Sequence, residues 1–175
     1  MSLTLASRSP QRRAILTQLG VEFSVVVPDV EELEDGDPRE MVVENALRKA
    51  RAVDGDRVLG VDTTVVVDGR SYGKPVDEGE AEETLQLLSG RTHEVWSGIA
   101  LNDRTASACT KVTFRELDDP LLSWYLRCGE WRERAGGYAI QGRGAALVEA
   151  IEGDFWNVVG LPVPELLGLA PDLLA

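Results

Sequence analysis

The sequence predicts an α/β fold in which a mixed twisted sheet is flanked by helices. Strand-like and helix-like segments alternate in the first half of the chain, which is typical of that class. Two consecutive strand-like segments in the middle predict an antiparallel pair within the same sheet. The length of 175 residues corresponds to one ordinary domain or to two tightly fused lobes. We therefore expect one folded unit over residues 1–175, with active-site loops beyond the strand ends.

The helices are predicted from the residues at their ends. Ser9 and Pro10 place a hydroxyl at an N-cap and a proline in the first turn, and a glycine ends that helix. The segment DPRE opens the second helix, with Asp37 as its cap and a glutamate that completes a capping box. Asp77 caps the third helix, and further helices begin at an Asp-Pro pair and after Pro164.

The strands are predicted from runs of β-branched and apolar residues. Such runs occupy residues 22–27 (EFSVVV) and 57–67 (RVLGVDTTVVV), and the second is long and largely apolar. Asp68 and Gly69 then form a two-residue hairpin signal. The predicted elements are, in chain order, strand 2–6, helix 9–19, strand 22–27, a helix from 37, strand 57–67, helix 78–88, strands 94–101 and 108–115, helix 119–128, strand 145–151 and a short helix after 164.

Composition excludes several classes of protein. The hydrophobic fraction of 43% is that of a globular chain, and no apolar run is long enough to predict a membrane span. The formal charge of −12 argues against non-specific binding to nucleic acid, because phosphates attract basic surfaces. The N-terminus has a short strand-like run before its positive charges, whereas a secretory signal has the reverse order. We expect a cytoplasmic protein that binds neither membranes nor nucleic acid.

Two further features of composition bear on chemistry. Cys109 and Cys128 lie far apart without a C-x-x-C pattern, so we expect free thiols, with a disulfide as the alternative. The negative charge of the chain repels anions, so any phosphate site must depend on a few concentrated cations.

The segment SRSPQRR, residues 7–13, is the first candidate site. It leaves a strand and enters a helix whose free N–H groups and positive dipole end attract phosphate. Ser7 and Ser9 add hydroxyl donors, and Arg12 and Arg13 can bind phosphate oxygens through forked hydrogen bonds. An ordinary capped helix with surface arginines is the alternative.

Carboxylates in two segments form the second candidate site. Asp62 lies within a hydrophobic strand, where a carboxylate is costly to bury unless it is paired or bound to a metal. A strand-end aspartate that caps backbone amides is the alternative. Glu31 and Glu32 lie in an acidic loop of the kind that is usually only solvated. Mg²⁺ commonly uses one or two carboxylates plus substrate phosphates, so Glu32 with Asp62 would suffice.

Two lysines are candidate phosphate ligands. Lys49 is predicted to face inward, because Glu44 and Arg48 can pair on the outer face of the same helix. A lysine that snorkels from the border of the apolar face is the alternative. Lys74, between a glycine and a proline, is either a rigidly placed cation or an exposed turn lysine. The single histidine, His93, has no sequence context for a catalytic triad.

Residues 136–144 (GGYAIQGRG) contain four glycines, which would let the backbone approach a ligand closely. Gln141 within this segment can recognise a planar edge that carries a donor and an acceptor. A flexible loop is the alternative.

The order of these segments is more specific than any one of them. From Leu5 to about Glu165 the chain resembles the Maf family of nucleotide pyrophosphatases in LASRSPQRRAIL, VEE, ALRKARA, LGVDTTVVVDG, GKP, LLSGRTHEVWSGIAL, VTFREL and AGGYAIQGRGAALVEAIEGDFWNVVGLP. The resemblance implies an α/β fold similar to that of inosine-triphosphate pyrophosphatases, with two lobes and a central cleft. It also implies that a homodimer can form.

Carried over residue by residue, the resemblance implies roles for the candidate residues. Asp62 matches the proposed base of the family's G-[AV]-D-T motif, and Glu32 matches the loop carboxylate that helps Asp62 to hold the metal. Lys49 and Lys74 match two lysines that neutralise phosphate charge during catalysis. Ser7, Ser9 and Arg12 match the family's substrate-binding phosphate loop, S-x-S-P-x-R. Arg13 falls at a position where the family varies, so its expected role in substrate binding comes from the sequence alone.

Three positions resemble the family's specificity determinants: Gln11, Thr63 and Gln141. Thr63 and the segment YAIQG resemble the branch that acts on thymidine and uridine triphosphates. The branch that acts on 7-methylguanosine triphosphate has glutamine after the aspartate and an acidic residue in the late loop. Gln11 departs from both branches, since the first has arginine there and the second has tryptophan.

The expected function is hydrolysis of dTTP or UTP to the monophosphate and pyrophosphate, with Mg²⁺ or Mn²⁺ as cofactor. CTP and modified pyrimidine nucleotides are further candidate substrates. Three alternatives remain: a 7-methyl-GTP pyrophosphatase, a nucleotide-binding regulator of septum formation with little turnover, and a glycosidase with a carboxylate pair. The last leaves SRSPQRR and the two lysines unexplained.

Overall fold

One seven-stranded sheet organises residues 2–174, the part of the chain that this computed structural model describes. The strands are β1 (Leu3–Ala6), β2 (Phe23–Val26), β3 (Val58–Val67), β4 (Arg70–Tyr72), β5 (Thr92–Leu101), β6 (Arg104–Phe114) and β7 (Val148–Glu152). The helices are α1 (Pro10–Gln18), α2 (Pro38–Arg51), α3 (Glu78–Leu88), α4 (Asp119–Cys128), α5 (Phe155–Val159) and α6 (Val163–Leu169). Two short 3-10 helices, Ala135–Gly137 and Arg143–Ala146, lie between α4 and β7.

The sheet is mixed, as predicted. Its strand order is β2-β1-β3-β5-β6-β7, and β4 pairs with β3 on the edge opposite β5. The pairs of β1 with β2 and β3 are parallel, because helices connect these strands, and the other pairs are antiparallel. The predicted α/β class is therefore confirmed. None of the helices described is both long and apolar enough to cross a bilayer.

The predicted end signals form the expected contacts. The side chains of Ser9, Asp37 and Asp77 accept hydrogen bonds from backbone N–H groups three residues later, at 3.5, 3.0 and 2.9 Å. Asp68 and Gly69 have φ values of 51° and 73°, the left-handed conformation that a tight two-residue hairpin turn requires.

Two predicted strand starts differ from the structure by several residues, and one helix was missed. Strand β6 begins at Arg104 rather than Ala108, because its first residues are largely exposed and carry no hydrophobic signal. Strand β7 begins at Val148 rather than at residue 145, because the Glu130 carboxylate accepts two backbone N–H groups and holds a 3-10 helix there. Helix α5, capped by Asp154, was not predicted at all, since it is only five residues long.

Helix α2 packs closely against the centre of the sheet. Gly60 on β3 and Gly98 on β5 face its backbone, and a Cβ atom at either position would overlap carbonyl groups of the helix. Side chains alternate along a strand, so Asp62 lies on the same face of β3 as Gly60. The close approach therefore brings Lys49, on α2, within reach of Asp62.

Two larger hydrophobic clusters form most of the core. One packs α3 and α4 against β3, β5 and β6, and includes Leu85 and Tyr125. The other packs α1 and α6 against β1, β3 and β5, and includes Leu16 and Leu166. The division into two lobes stays a prediction.

Candidate active site

A cleft of about 1210 Å³ opens where β3 lacks a strand partner on one edge. Strand β1 pairs with residues 58–60 and β4 with residues 65–67, so residues 61–64, here called the β3 gap, pair only with β5. The β3 gap contains the predicted Asp62 and Thr63. The surrounding walls come from the start of α1, the acidic loop, α2, the segment after β4, and residues 133–141 and 158–160.

Lys49 joins two carboxylates at the floor of the cleft. Its Nζ lies 2.8 Å from Oδ1 of Asp62 and 2.9 Å from Oε2 of Glu32. The side chains of Lys49 and Asp62 are only 9% and 12% exposed, whereas that of Glu32 is 46% exposed. Lys49 faces inward as predicted, and Glu44 and Arg48 pair on the outer face at 2.8 Å. The three charged groups thus form one cluster, which extends from the buried Asp62 to the partly exposed Glu32.

Asn45 holds the second carboxylate oxygen of Asp62 by a hydrogen bond. Asn45 was not among the residues singled out from the sequence. Its Nδ2 donates to Oδ2 of Asp62 at 3.0 Å and to the carbonyl of Leu33 at 2.9 Å. In return the backbone N–H of Leu33 donates to Oδ1 of Asn45 at 2.7 Å. Asn45 therefore ties the acidic loop to the catalytic candidate. An asparagine one helical turn before Lys49, on the apolar face, was the available signal.

Arg12 is buried and held by neutral oxygens. It donates from Nε to the carbonyl of Gly160 at 2.8 Å, from Nη1 to Ser7 Oγ at 3.0 Å and from Nη2 to Thr63 Oγ1 at 3.2 Å. Burial lowers the pKa of the Arg12 guanidinium, and the nearby carboxylates of Asp62 and Glu32 oppose that effect. Arg12 is thus a fixed positive charge at the cleft.

Gln11 lies between Ser9 and a second arginine, Arg134. The amide oxygen of Gln11 must face Arg134, because the guanidinium offers only donors. In that orientation Gln11 accepts hydrogen bonds from Arg134, and its NH₂ group donates to Ser9 Oγ at 2.7 Å. Arg134 is half-buried and lines the cleft. Sequence reasoning missed it, although a cation beside the glycine-rich segment was a visible signal.

Lys74 lies on an exposed rim of the cleft. Its Nζ is 3.1 Å from Oε2 of Glu133, and both side chains are about half exposed or more, at 48% and 63%. Lys74 therefore lines the cleft as an exposed lysine, which is the second of the two alternatives that the sequence left open. The ion pair lowers the pKa of Glu133, chiefly through the hydrogen bond from Lys74.

The remaining predicted residues divide between those that line the cleft and those that do not. Gln141 lies on its wall as an exposed side chain, and Thr63 contributes a half-buried hydroxyl. Ser7 lies behind Arg12 rather than on the surface of the cleft. Arg13 is exposed on α1 and does not line the cleft.

The glycine-rich segment is anchored, which disfavours the flexible-loop alternative. Gly136 donates its N–H to the carbonyl of Gly73 at 2.9 Å, and Ala139 donates its N–H to the hydroxyl of Tyr125 at 2.9 Å. Gly136 also has a φ of 68° and packs against Val65, where a Cβ atom would crowd the valine side chain. The segment therefore packs firmly beside the β3 gap.

His93 lies in the core, 1% exposed. Its Nε2 is 2.8 Å from the hydroxyl of Tyr138, and its ring packs edge-on against Phe114. Burial lowers the pKa of His93 to about 4, so the ring is neutral at pH 7. Cys109 and Cys128 are free thiols, as predicted.

The candidate metal ligands are the carboxylates of Glu32 and Asp62, which both contact the ammonium group of Lys49 in this structure. Within residues 2–174 no group of three or more His, Cys, Asp or Glu side chains is placed to hold a metal ion, so a bound metal would need ligands besides these carboxylates. Mg²⁺ suits such a site, because it keeps waters and substrate phosphates among its ligands.

Comparison with known proteins identifies the family of the chain. The profile of the family described as Maf-like protein matches residues 2–172. The chain is 48% identical over 171 residues to the dTTP/UTP pyrophosphatase of Symbiobacterium thermophilum, covering 92% of this chain and 88% of that protein. It is 49% identical over 168 residues to that of Thermococcus gammatolerans, covering 92% and 91%. It is 44% identical over 173 residues to that of Bacillus cytotoxicus, covering 93% and 91%. The chain therefore belongs to the Maf family.

Proposed function

We propose that the chain hydrolyses dTTP and UTP to the nucleoside monophosphate and pyrophosphate, with a divalent metal ion. The main support is the cluster of Asp62, Lys49 and Glu32, which lies at the β3 gap in a cleft large enough for a nucleotide. The names of the three relatives described above support the substrate class.

The cleft brings basic side chains together on an acidic chain. Four of them line it, Arg12, Lys49, Lys74 and Arg134, beside seven acidic ones, Glu31, Glu32, Glu34, Asp35, Asp62, Glu80 and Glu133. The basic side chains would bind the phosphate oxygens, and a metal ion held by carboxylates would add positive charge for the triphosphate. The serine hydroxyls and the free N–H groups at the start of α1 add hydrogen-bond donors for phosphate oxygens.

Asp62 is the group placed to activate water. In the proposed reaction a water oxygen forms a bond to the α-phosphorus, and its proton passes to the Asp62 carboxylate. The bond from the α-phosphorus to the oxygen bridging to the β-phosphorus breaks, and pyrophosphate leaves with the electron pair. Lys49 and Asn45 orient the carboxylate through its two oxygens. Lys49, Lys74 and Arg12 offset the charge on the phosphate oxygens, which is the main contribution of a protein to such reactions.

Glu32 and Asp62 would hold the metal, with Mg²⁺ or Mn²⁺ as the expected ion. When bound, the metal supplies positive charge to the phosphate oxygens. Substrate specificity is assigned to Gln11, Thr63 and Gln141, all of which line the cleft. A cytoplasmic location agrees with the two free thiols, and a homodimer is the assembly that the family suggests.

The test is a measurement of pyrophosphate release from dTTP, UTP, CTP, GTP and 7-methyl-GTP, with Mg²⁺, with Mn²⁺ and with a chelator. We expect metal-dependent release that favours dTTP and UTP. Preference for 7-methyl-GTP would refute the substrate assignment but keep the chemistry. Binding of nucleotides without release of pyrophosphate would instead support the regulator alternative.

A further inference from the structure

We infer that Arg134 is a second phosphate-binding arginine of the cleft and that Gln11 is the residue that positions its guanidinium. The ligand would be the polyphosphate chain of the substrate, bound beside the start of α1. The identity of that ligand as a nucleotide rests on the proposed function, but the binding of polyphosphate is tested below without turnover.

The cations of the cleft differ in their partners. Lys49 forms salt bridges with Asp62 and Glu32, and Lys74 forms one with Glu133. Within the described residues 2–174, Arg134 has no carboxylate oxygen within the 4.0 Å that defines a salt bridge. Arg134 therefore brings to the cleft a positive charge that no neighbouring side chain neutralises by direct contact.

The surroundings of Arg134 make an anion a better partner than water. The side chain is half-buried, and burial lowers the pKa of its guanidinium, because the charged form loses solvation; the nearby carboxylates of Glu130 and Glu133 partly oppose that effect. Hydrogen bonds to a phosphate would offset that loss, since charge-assisted bonds are about twice as strong as neutral ones. Its side-chain partner in the free protein is the neutral amide of Gln11.

The position of Arg134 also favours the phosphates over the base. Gln11 directly precedes Arg12 in the first turn of α1, and Arg12 contacts Ser7 just before that helix, so both arginines lie near the helix start. Ser9, the N-cap of that helix, contacts the same Gln11 amide. A helix start with two guanidinium groups near it is suited to an anion with several oxygens. A base carbonyl would also accept a hydrogen bond from Arg134, but it would leave the charge without a counterion.

Calorimetric titration with inorganic tripolyphosphate in the presence of Mg²⁺ tests the inference, because this probe has no base. We expect Arg134→Gln to raise the Kd for tripolyphosphate and the KM for dTTP by the same factor, about tenfold to a hundredfold. Arg134→Lys should lie between this variant and the wild type, because an ammonium keeps the charge but loses the fork.

Arg132→Gln is the matched control for the loss of one positive charge. Arg132 is exposed, does not line the cleft, and has its guanidinium 4.3 Å from the centroid of the Trp131 ring. We expect its Kd for tripolyphosphate to stay within about twofold of the wild type, because exposed charges are well screened. An equal loss of affinity in this control would mean that net charge alone is responsible, which would overturn the inference.

Two other results would also overturn it. One is an unchanged Kd for tripolyphosphate together with an altered ratio of activity on dTTP and GTP, since Arg134 would then contact the base. The other is wild-type behaviour of Arg134→Gln in both measurements. If a thermal melt shows that Arg134→Gln is not folded, Gln11→Met takes its place in the test. We expect Gln11→Met to raise the Kd for tripolyphosphate by about threefold to tenfold. The two proposals can also be told apart. If the wild type hydrolyses no nucleotide but binds tripolyphosphate in a way that depends on Arg134, the proposed function is refuted and this inference stands.

Discussion

The carboxylate of Asp62 and the ammonium of Lys49 meet at 2.8 Å across the contact between β3 and α2, and both side chains are almost fully buried. The contact is possible because Gly60 lets the helix backbone approach the strand two residues before Asp62. Asn45 and Glu32 complete the hydrogen bonding of the pair. Packing in the core and the geometry of the candidate site therefore depend on each other.

Removal of one member of this pair should destabilise the protein. Lys49→Met leaves the Asp62 carboxylate buried with only Asn45 as a hydrogen-bond partner, so we expect the free energy of unfolding to fall by about 3 kcal/mol. The double variant Lys49→Met/Asp62→Asn should recover part of that loss, because it buries no uncompensated charge. Urea denaturation of the three proteins measures both effects. A double variant less stable than Lys49→Met would show that the pair is not the cause.

Asn45→Ala should reduce turnover more than it reduces substrate affinity. The substitution leaves one Asp62 oxygen and the backbone groups of Leu33 without their partner, at an expected cost of about 1–3 kcal/mol in stability. Steady-state kinetics on dTTP should show a lower kcat and a nearly unchanged KM. Glu44→Gln, on the outer face of the same helix, is the control. Equal kcat values for Asn45→Ala and the wild type would rule out a positioning role for Asn45.

The close approach of α2 to the sheet predicts that an alanine destabilises the protein at Gly60 but not at a glycine with open space around it. Gly60→Ala places a Cβ atom against the helix backbone, so we expect a loss of about 1–3 kcal/mol in stability and a lower kcat. Gly168→Ala is the control, because a Cβ atom at that position in α6 meets nothing within 4 Å. Thermal melts and activity assays of both variants test this. A Gly60→Ala protein as stable and active as the control would contradict the packing described for α2.

Stability should depend on pH through His93. The pKa of His93 is about 4 in the folded protein, against an ordinary value of 6.5, so the unfolded chain takes up its proton first as the pH falls. The contribution of His93 to the free energy of unfolding is thus fully present above pH 6.5 and decreases as the pH falls towards 4. Between pH 7 and pH 5 the loss from this residue is about 2 kcal/mol. Urea denaturation at both pH values should show a smaller loss for His93→Gln, and parallel losses in the two proteins would refute the assignment.

Local signals predicted much of the secondary structure and part of the site. Ser9, Asp37 and Asp77 each act on a backbone group three residues away, so their effect is visible in the sequence. The inward orientation of Lys49 follows in the same way from the helical period of α2.

Features that depend on distant segments were not predictable from local patterns. The β3 gap exists because of the register of β1 and β4 on β3, which no local pattern specifies. The contact between Gln11 and Arg134 likewise joins two segments far apart in sequence. Asn45 was missed because its role depends on the distance from α2 to both Asp62 and the acidic loop.

The most direct test of the account is the rate of pyrophosphate release from dTTP by Asp62→Asn in Mg²⁺, measured beside the wild type and beside Asp68→Asn as a control in the exposed hairpin turn. Asparagine has nearly the shape of aspartate but cannot accept the proton of the attacking water. We predict that kcat falls by about 10²–10⁴-fold while the thermal melt stays cooperative, and that Asp68→Asn keeps the wild-type kcat. A folded Asp62→Asn protein with the turnover of the wild type would contradict the claim that Asp62 activates the water.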